Sequence, residues 1–143
     1  MKTTTLLTLT LAAVAALTLP TAAASRSEAA PGTIVDTWTR TVTEADAKRR
    51  GPVATGPWRF ELKASGALSL FNSSSKRAIV TGKLTAGPSG TVKMVNLLVV
   101  GGGRCTEQAT YRWRLTGTRL TLSTAADKCP GRAAVLVGTW RRT

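Results

Sequence analysis

Histidine is absent from this chain of 143 residues. Without imidazole there is no serine or cysteine triad of the usual kind, and zinc loses its commonest nitrogen ligand. Cysteine occurs only twice, too few for a thiolate metal site. Acidic residues are scarce, seven against 20 Lys and Arg, so the formal net charge is +13. Setting aside Glu28 near the amino terminus, the acids are Asp36, Glu44, Asp46, Glu61, Glu107 and Asp127. No two of them share an obvious face, so a general acid–base pair has no clear members. The chain reads as a non-enzymatic protein that uses neither metal nor cofactor.

Long hydrophobic runs are also missing, with one exception. Leu6 to Leu19 is apolar apart from Thr8, Thr10 and Thr18, and it is shorter than the ~20 residues that a membrane-spanning helix needs. Lys2 precedes it, and Pro20-Thr21-Ala22-Ala23-Ala24 follows with small residues at the end. That is the layout of a secretory signal peptide, residues 1–24, cleaved near Ala24. An exported protein with no transmembrane segment is the expectation. Residues 25–32 read as a flexible polar arm and 33–143 as one domain of ordinary size. In an exported chain an even pair of cysteines points to a Cys105–Cys129 disulfide.

What the chain does have is alternation. Apolar residues recur with a period of two, the mark of strands buried on one face. Eight runs stand out: Thr33–Thr43, Trp58–Lys63, Ala67–Asn72, Arg77–Thr85, Thr91–Val100, Ala109–Thr116, Arg119–Thr124 and Ala133–Arg142. Ala64-Ser65-Gly66 suits a three-residue hairpin that sets Leu62 opposite Leu68 and Phe60 opposite Leu70. Gly117-Thr118 suits a type II′ turn that sets Leu115 opposite Leu120 and Trp113 opposite Leu122. Continuing that hairpin brings Cys105 near Cys129, and closing the loop contributes about 3 kcal/mol. Thr43-Glu44-Ala45-Asp46 has the form of a helix N-cap with an acidic first turn, and Lys48-Arg49-Arg50 precedes the stop at Gly51-Pro52. A short helix or a loop is therefore expected between the first two strands.

Thr37-Trp38-Thr39-Arg40 near the start is echoed by Thr139-Trp140-Arg141-Arg142 at the end. Pairing of first and last strands closes an up-and-down barrel and removes both sheet edges. The expected fold is all-β: an eight-stranded antiparallel up-and-down barrel, with a two-sheet sandwich as the alternative. A barrel of eight strands is either filled by side chains or holds one small ligand.

The candidate residues each have a plain structural reading beside the functional one. Trp38, Trp58, Phe60, Tyr111 and Trp113 line the interior as a hydrophobic-ligand wall or simply fill the core. Asp36, on the face of Ile34 and Trp38, is the candidate polar anchor, with Tyr111 and Asn96 as weaker ones. Asp127 and Arg132 bracket Cys129 and have structural roles, as an ion pair or with Arg132 stacked on a ring; Trp140 is structural. Arg59, Lys63, Arg112, Arg114 and Arg119 point outward, either as a solubilising surface or as contacts to a polyanion. Leu97 to Val100 is apolar on both faces, which suits a covered strand or a partner surface. Gly101-Gly102-Gly103-Arg104 lacks the Lys-Ser/Thr of a phosphate loop and reads as a flexible connection.

Tyr111-Arg112-Trp113 with Leu120-Thr121-Leu122, then Asp127-x-Cys129-x-x-Arg132 and Val135-Leu136-x-Gly138-x-Trp140, resembles the small secreted lipocalin-like (calycin-type) proteins of actinobacteria. Trp38-Thr39-Arg40 and Gly56-Pro57-Trp58 fit more loosely. The resemblance spans roughly Thr33 to Thr143 and implies a barrel with a central cup. In lipocalins the first strand opens on G-x-W, whose tryptophan lies under a basic residue from a late strand. Here Asp36 takes the glycine position, and Gly138-Thr139-Trp140 carries the motif on the last strand. Two binding expectations follow: a small lipophilic ligand inside a monomeric barrel, or an anionic envelope polymer or acidic protein on its surface. No specific nucleic-acid recognition is expected.

Overall fold

The computed structural model describes residues 31–51, 53–99, 105 and 107–143, and for 96–99 the backbone alone. The expected signal peptide and polar arm up to residue 30, and Gly101 to Arg104, lie outside the described residues, as do the side chains of Asn96 and Leu97 to Val100. From Pro31 onward the chain runs through a 3-10 turn (Gly32–Ile34), β1 (Thr37–Val42), α1 (Glu44–Arg50), β2 (Gly56–Leu62), β3 (Ala67–Asn72), β4 (Val80–Ala86), β5 (Thr91–Val99), β6 (Ala109–Thr116), β7 (Arg119–Ala126), α2 (Pro130–Leu136) and β8 (Gly138–Arg142). The strands pair in chain order, all antiparallel, and β8 returns to β1. The sheet is a closed eight-stranded barrel.

Both predicted hairpin registers hold. Phe60 faces Leu70 and Leu62 faces Leu68; Trp113 faces Leu122 and Leu115 faces Leu120. In the first hairpin Gly66 takes φ +83°, the left-handed conformation that glycine adopts without a steric cost. Closure fulfils the echo between the two tryptophan-centred segments: Trp38 pairs with Arg142 and Thr39 with Arg141. The alternation then sends one set of side chains inward, so that Trp38, Phe60, Leu62, Leu68, Leu70, Leu84, Val92, Met94, Tyr111, Leu120, Leu122 and Trp140 form one buried cluster.

Up-and-down order sorts the connections by end. The three tight hairpins and the amino-terminal turn occupy one end, where Ile34 of the turn is buried as a plug. The four longer connections, with both helices, occupy the other. The expected helix is present: Thr43 caps α1 by accepting from Asp46 N–H, and the Asp46 carboxylate accepts from Thr43 N–H. This reciprocal capping box satisfies two amides that a seven-residue helix would otherwise leave unpaired.

Two expectations need correction. Residues 33–36 are not strand but the plug turn and its exit. Residues 133–137 are likewise not strand: Pro130–Leu136 is α2, buried from Arg132 to Leu136. Proline at the first helical position needs no amide partner and has the helical φ already, and Ala133-Ala134 favours helix over strand. The five buried residues in succession fit a short helix enclosed between barrel mouth and α1, not a half-wet strand.

Cys105 and Cys129 form the expected disulfide, with a Cα–Cα distance of 5.9 Å. It ties the β5–β6 connection to the start of α2 across 24 residues of sequence. Substituting both cysteines by serine is expected to lower the unfolding free energy by about 3 kcal/mol. Urea denaturation of the two proteins measures it, and no change would mean that the loop is held by its polar contacts alone.

Candidate functional site

The interior candidates come first. Three of the four indoles share one local device. Trp38 Nε1 donates to Ile34 O at 3.0 Å, Trp58 Nε1 to Ala54 O at 2.8 Å and Trp140 Nε1 to Leu136 O at 2.9 Å. Each tryptophan sits early in its strand and reaches back to the carbonyl four residues before. The polar edge of the ring is thus satisfied while its body is buried. Phe60 lies between two of them, edge-on to Trp140 at 4.7 Å and tilted against Trp38 at 6.3 Å. Tyr111 is fully buried, and its hydroxyl donates to Asp127. Trp113 is only half-buried, near the tight-turn end.

Asp36 does not join this set. It is half-exposed just before β1, and its carboxylate accepts from Arg142 Nε at 2.8 Å. The chain leaves the plug turn here, so the side chain meets the rim of the barrel. The Arg142 guanidinium in turn lies 5.0 Å from the centre of the Trp38 ring, a cation–π contact. A basic residue of the last strand therefore covers the first-strand tryptophan, as the resemblance implies, with Asp36 holding it in place.

At the helical end a second arginine clamps the mouth. Arg40 faces inward from β1, its side chain 6% exposed. It donates to Val135 O at 2.9 Å, to Val137 O, and to Asp46 Oδ2 at 2.8 Å. One guanidinium thus joins β1, α1 and the end of α2. Burial would by itself raise the Asp46 carboxyl, but the Thr43 amide and hydroxyl, with Arg40, hold it below the usual range. At the same end Asp127 pairs with Arg132 (2.5 and 2.9 Å) and accepts from Cys129 N–H at 2.8 Å. Arg132 also donates to Glu107 O at 2.8 Å. This is the ion-pair alternative for the residues that bracket Cys129.

The outer wall is built differently. Alternation sends Arg112 and Arg114 of β6, Arg119 of β7 and Arg141 of β8 outward, all exposed. Register places Arg119 directly opposite Arg141, Arg114 opposite Thr121 and Arg112 opposite Ser123. The remaining outward positions from β6 through β8 to β1 include Thr110, Thr116, Thr121, Ser123, Ala126, Thr139, Thr37, Thr39 and Thr41. No acid stands among them. The acids are held elsewhere: Asp36 by Arg142, Asp46 by Arg40 and Arg49, Glu61 by Arg59, Glu107 by Lys128 and Asp127 by Arg132, with Glu44 on α1. Of the basic residues singled out in the sequence, Arg112, Arg114 and Arg119 come together. Arg59 lies beyond β1 on β2, and Lys63 sits apart in the β2–β3 turn. Arg141 was missed, although the alternation around Trp140 already turns it outward.

Two adjoining cavities are cut into the same outer wall. One, about 470 Å³, lies over β2 and β3 with Arg59, Phe71, Ser73, Ser75 and Lys76 around it. The other, about 510 Å³, lies between β1 and β8 beside Thr41, Thr139 and Arg141. Thr39 and Pro57 border both. The second exists because the β1–β8 ladder has only two residue pairs; beyond Thr39 and Arg141 the strands part. Arg40 passes behind the gap, and a Cβ on Gly138 (φ +140°) would lie 2.7 Å from its Nη1.

The chain matches no protein-family model, no curated protein and no solved structure. Its chemistry is carried by its own residues. Among the described residues no helix is long and apolar enough to cross a membrane.

Proposed function

We propose that this is an exported, non-enzymatic, lipocalin-like protein that binds an anionic polymer on its outer wall. The observation that carries the reading is the Arg119–Arg141 cross-strand pair inside a field of arginine and hydroxyl side chains without an acid. Like charges directly opposite each other destabilise a sheet, and the nearest remedy, an interleaved glutamate, is not used. The repulsion falls once oxyanions lie between the guanidinium groups, and arginine suits them because its planar fork takes two oxygens at once. The disulfide and the apolar leader support an extracellular or envelope setting, where such polymers occur. The lipocalin-like assignment rests on the closed eight-stranded barrel, the amino-terminal plug and the Arg142–Trp38 contact.

A lipophilic ligand in the interior is the rival reading. It would have to enter among Trp38, Phe60, Tyr111 and Trp140, which are buried against one another with their donors already engaged. Displacing a close-packed set of this kind forfeits the contacts it makes, so the geometry favours the wall.

Polymer binding is expected to weaken steeply between 50 and 200 mM salt, on the order of tenfold or more, because each bound arginine releases counterions from the polymer. Titrating a polyuronate or polyphosphate at several salt concentrations measures the slope. Arg112→Gln/Arg114→Gln/Arg119→Gln should make it shallower by about 2–3 on a log–log plot. Binding indifferent to salt, or to the triple substitution, would remove the reading.

A further inference from the structure

The two cavities beside the arginine wall have a composition of their own. Arg59 lies over Phe71, its Cζ 4.3 Å from the ring centre. Its Nε is tied to Glu61 Oε1 at 3.2 Å. The ring contact and the ion pair restrict the half-exposed guanidinium, while both terminal nitrogens have no hydrogen-bond partner among the described residues. A fork restricted this way loses less freedom than a free arginine when an oxyanion docks. Lys76 stands across the same cavity, and Arg141 stands at the far end of the second. The hydroxyls of Ser73, Thr39, Thr41 and Thr139 line the cavities with them, while that of Ser75 is engaged by the Arg77 backbone.

We infer that the two cavities form one groove, which receives a short stretch of a polyhydroxylated polymer whose units each bear an oxyanion. Arg59 with Lys76 holds one anionic group, Arg141 holds another, and the hydroxyl groups between them read the sugar or polyol. The groove crosses from β3 to β8, three strand spacings, or ~14 Å. That length suits a few linked units and not a single small anion. A nucleic-acid strand fits less well, since it asks for open aromatic faces on which bases stack, and the face of Phe71 is already occupied by Arg59. The inference rests on the polymer reading above and deepens it: the wall attracts, and the groove selects.

The test is calorimetric titration of the protein with five short probes: tetragalacturonate, a tetramer of glycerol phosphate, maltotetraose, tripolyphosphate and a thymidine tetranucleotide. One of the first two is expected to bind saturably, and which of them does so tells carboxylate from phosphate polymers. Arg59→Gln should weaken that binding about tenfold, and Arg59→Lys should recover part of it, since the charge remains and the fork does not. Ser73→Ala/Thr39→Ala should weaken it about threefold while leaving tripolyphosphate unchanged. Equal or tighter binding of tripolyphosphate, the tetranucleotide or maltotetraose overturns the inference, as does failure of both tetramers to bind.

The two readings fail separately. If neither tetramer binds while long polymer still responds to the Arg112/Arg114/Arg119 substitutions, the groove is lost and the wall stands. If the tetramer responds to Arg59→Gln while long polymer ignores the wall substitutions, the groove stands alone.

Discussion

Asp127→Ala is expected to destabilise the protein by about 3–5 kcal/mol, the usual result of removing one partner from a buried ion pair. The Asp127 side chain is 0% exposed and that of Arg132 is 4% exposed. The carboxylate accepts from the Arg132 guanidinium, the Tyr111 hydroxyl and the Cys129 amide. Its loss strands a guanidinium among α2, the β5–β6 connection and the disulfide. Asp127→Ala/Arg132→Met should recover a good part of the loss, because no uncompensated charge then remains. Urea denaturation of the single and double variants decides the matter. Equal loss in both would show that the pair acts through packing alone.

The same cluster gives the acid limit its sign. Burial by itself would raise the Asp127 carboxyl, but the bonds from Arg132, Tyr111 and the Cys129 amide outweigh it, and the group titrates below the usual carboxylate range. A folded pKa below the unfolded one means stability that is complete above the unfolded value and is lost as pH falls through the folded one. The wild-type protein should therefore lose this contribution only in strong acid, and Asp127→Ala should flatten the stability profile there. Burial, followed by the neighbouring Asp127, pushes the Tyr111 hydroxyl upward, so it stays protonated and donating throughout.

Trp140→Ala should cost a similar amount, about 3–5 kcal/mol, against the 5–15 kcal/mol that holds a typical domain together. Trp140 is fully buried, edge-on to Phe60 at 4.7 Å, with the Arg40 guanidinium 5.7 Å from its ring centre. Alanine would open a cavity where β8 meets β1, leave Leu136 O without its donor and remove the ring beneath Arg40. Trp140→Phe should keep most of the packing and lose the donor, for about 1–2 kcal/mol. Trp113→Ala is the contrast: Trp113 is half-buried and makes no indole hydrogen bond among the described residues, so a smaller loss is expected. Urea midpoints of the three variants rank them. A Trp140→Ala protein of near-native stability would mean that the barrel interior is not the close-packed core described above.

Much of this architecture is legible in the sequence. Hairpins such as Phe60–Leu70 and Trp113–Leu122 follow from period-two alternation and from glycine placement, both local properties. The Thr43–Asp46 cap is also local, written in four residues. The second helix was not legible, because Ala133-Ala134-Val135-Leu136 is an apolar run that suits a buried strand as well as a buried helix, and the helix signals, Pro130 and the two alanines, are short. Asp36 was misplaced for a related reason. Strand parity was extended back into residues that form the plug turn, where parity has no meaning.

The sequence by itself determined the alternation and the turns, and with them a run of antiparallel strands with most indoles on one face and most guanidinium groups on the other, because each depends on neighbours within a few positions. Which arginines meet was decided only by the tertiary structure. Arg119 faces Arg141, Arg59 reaches Phe71, and Arg40 and Arg142 cover tryptophans at opposite ends. Those relations depend on register across strands and on where β1 and β8 part, and distance along the chain carries no record of either.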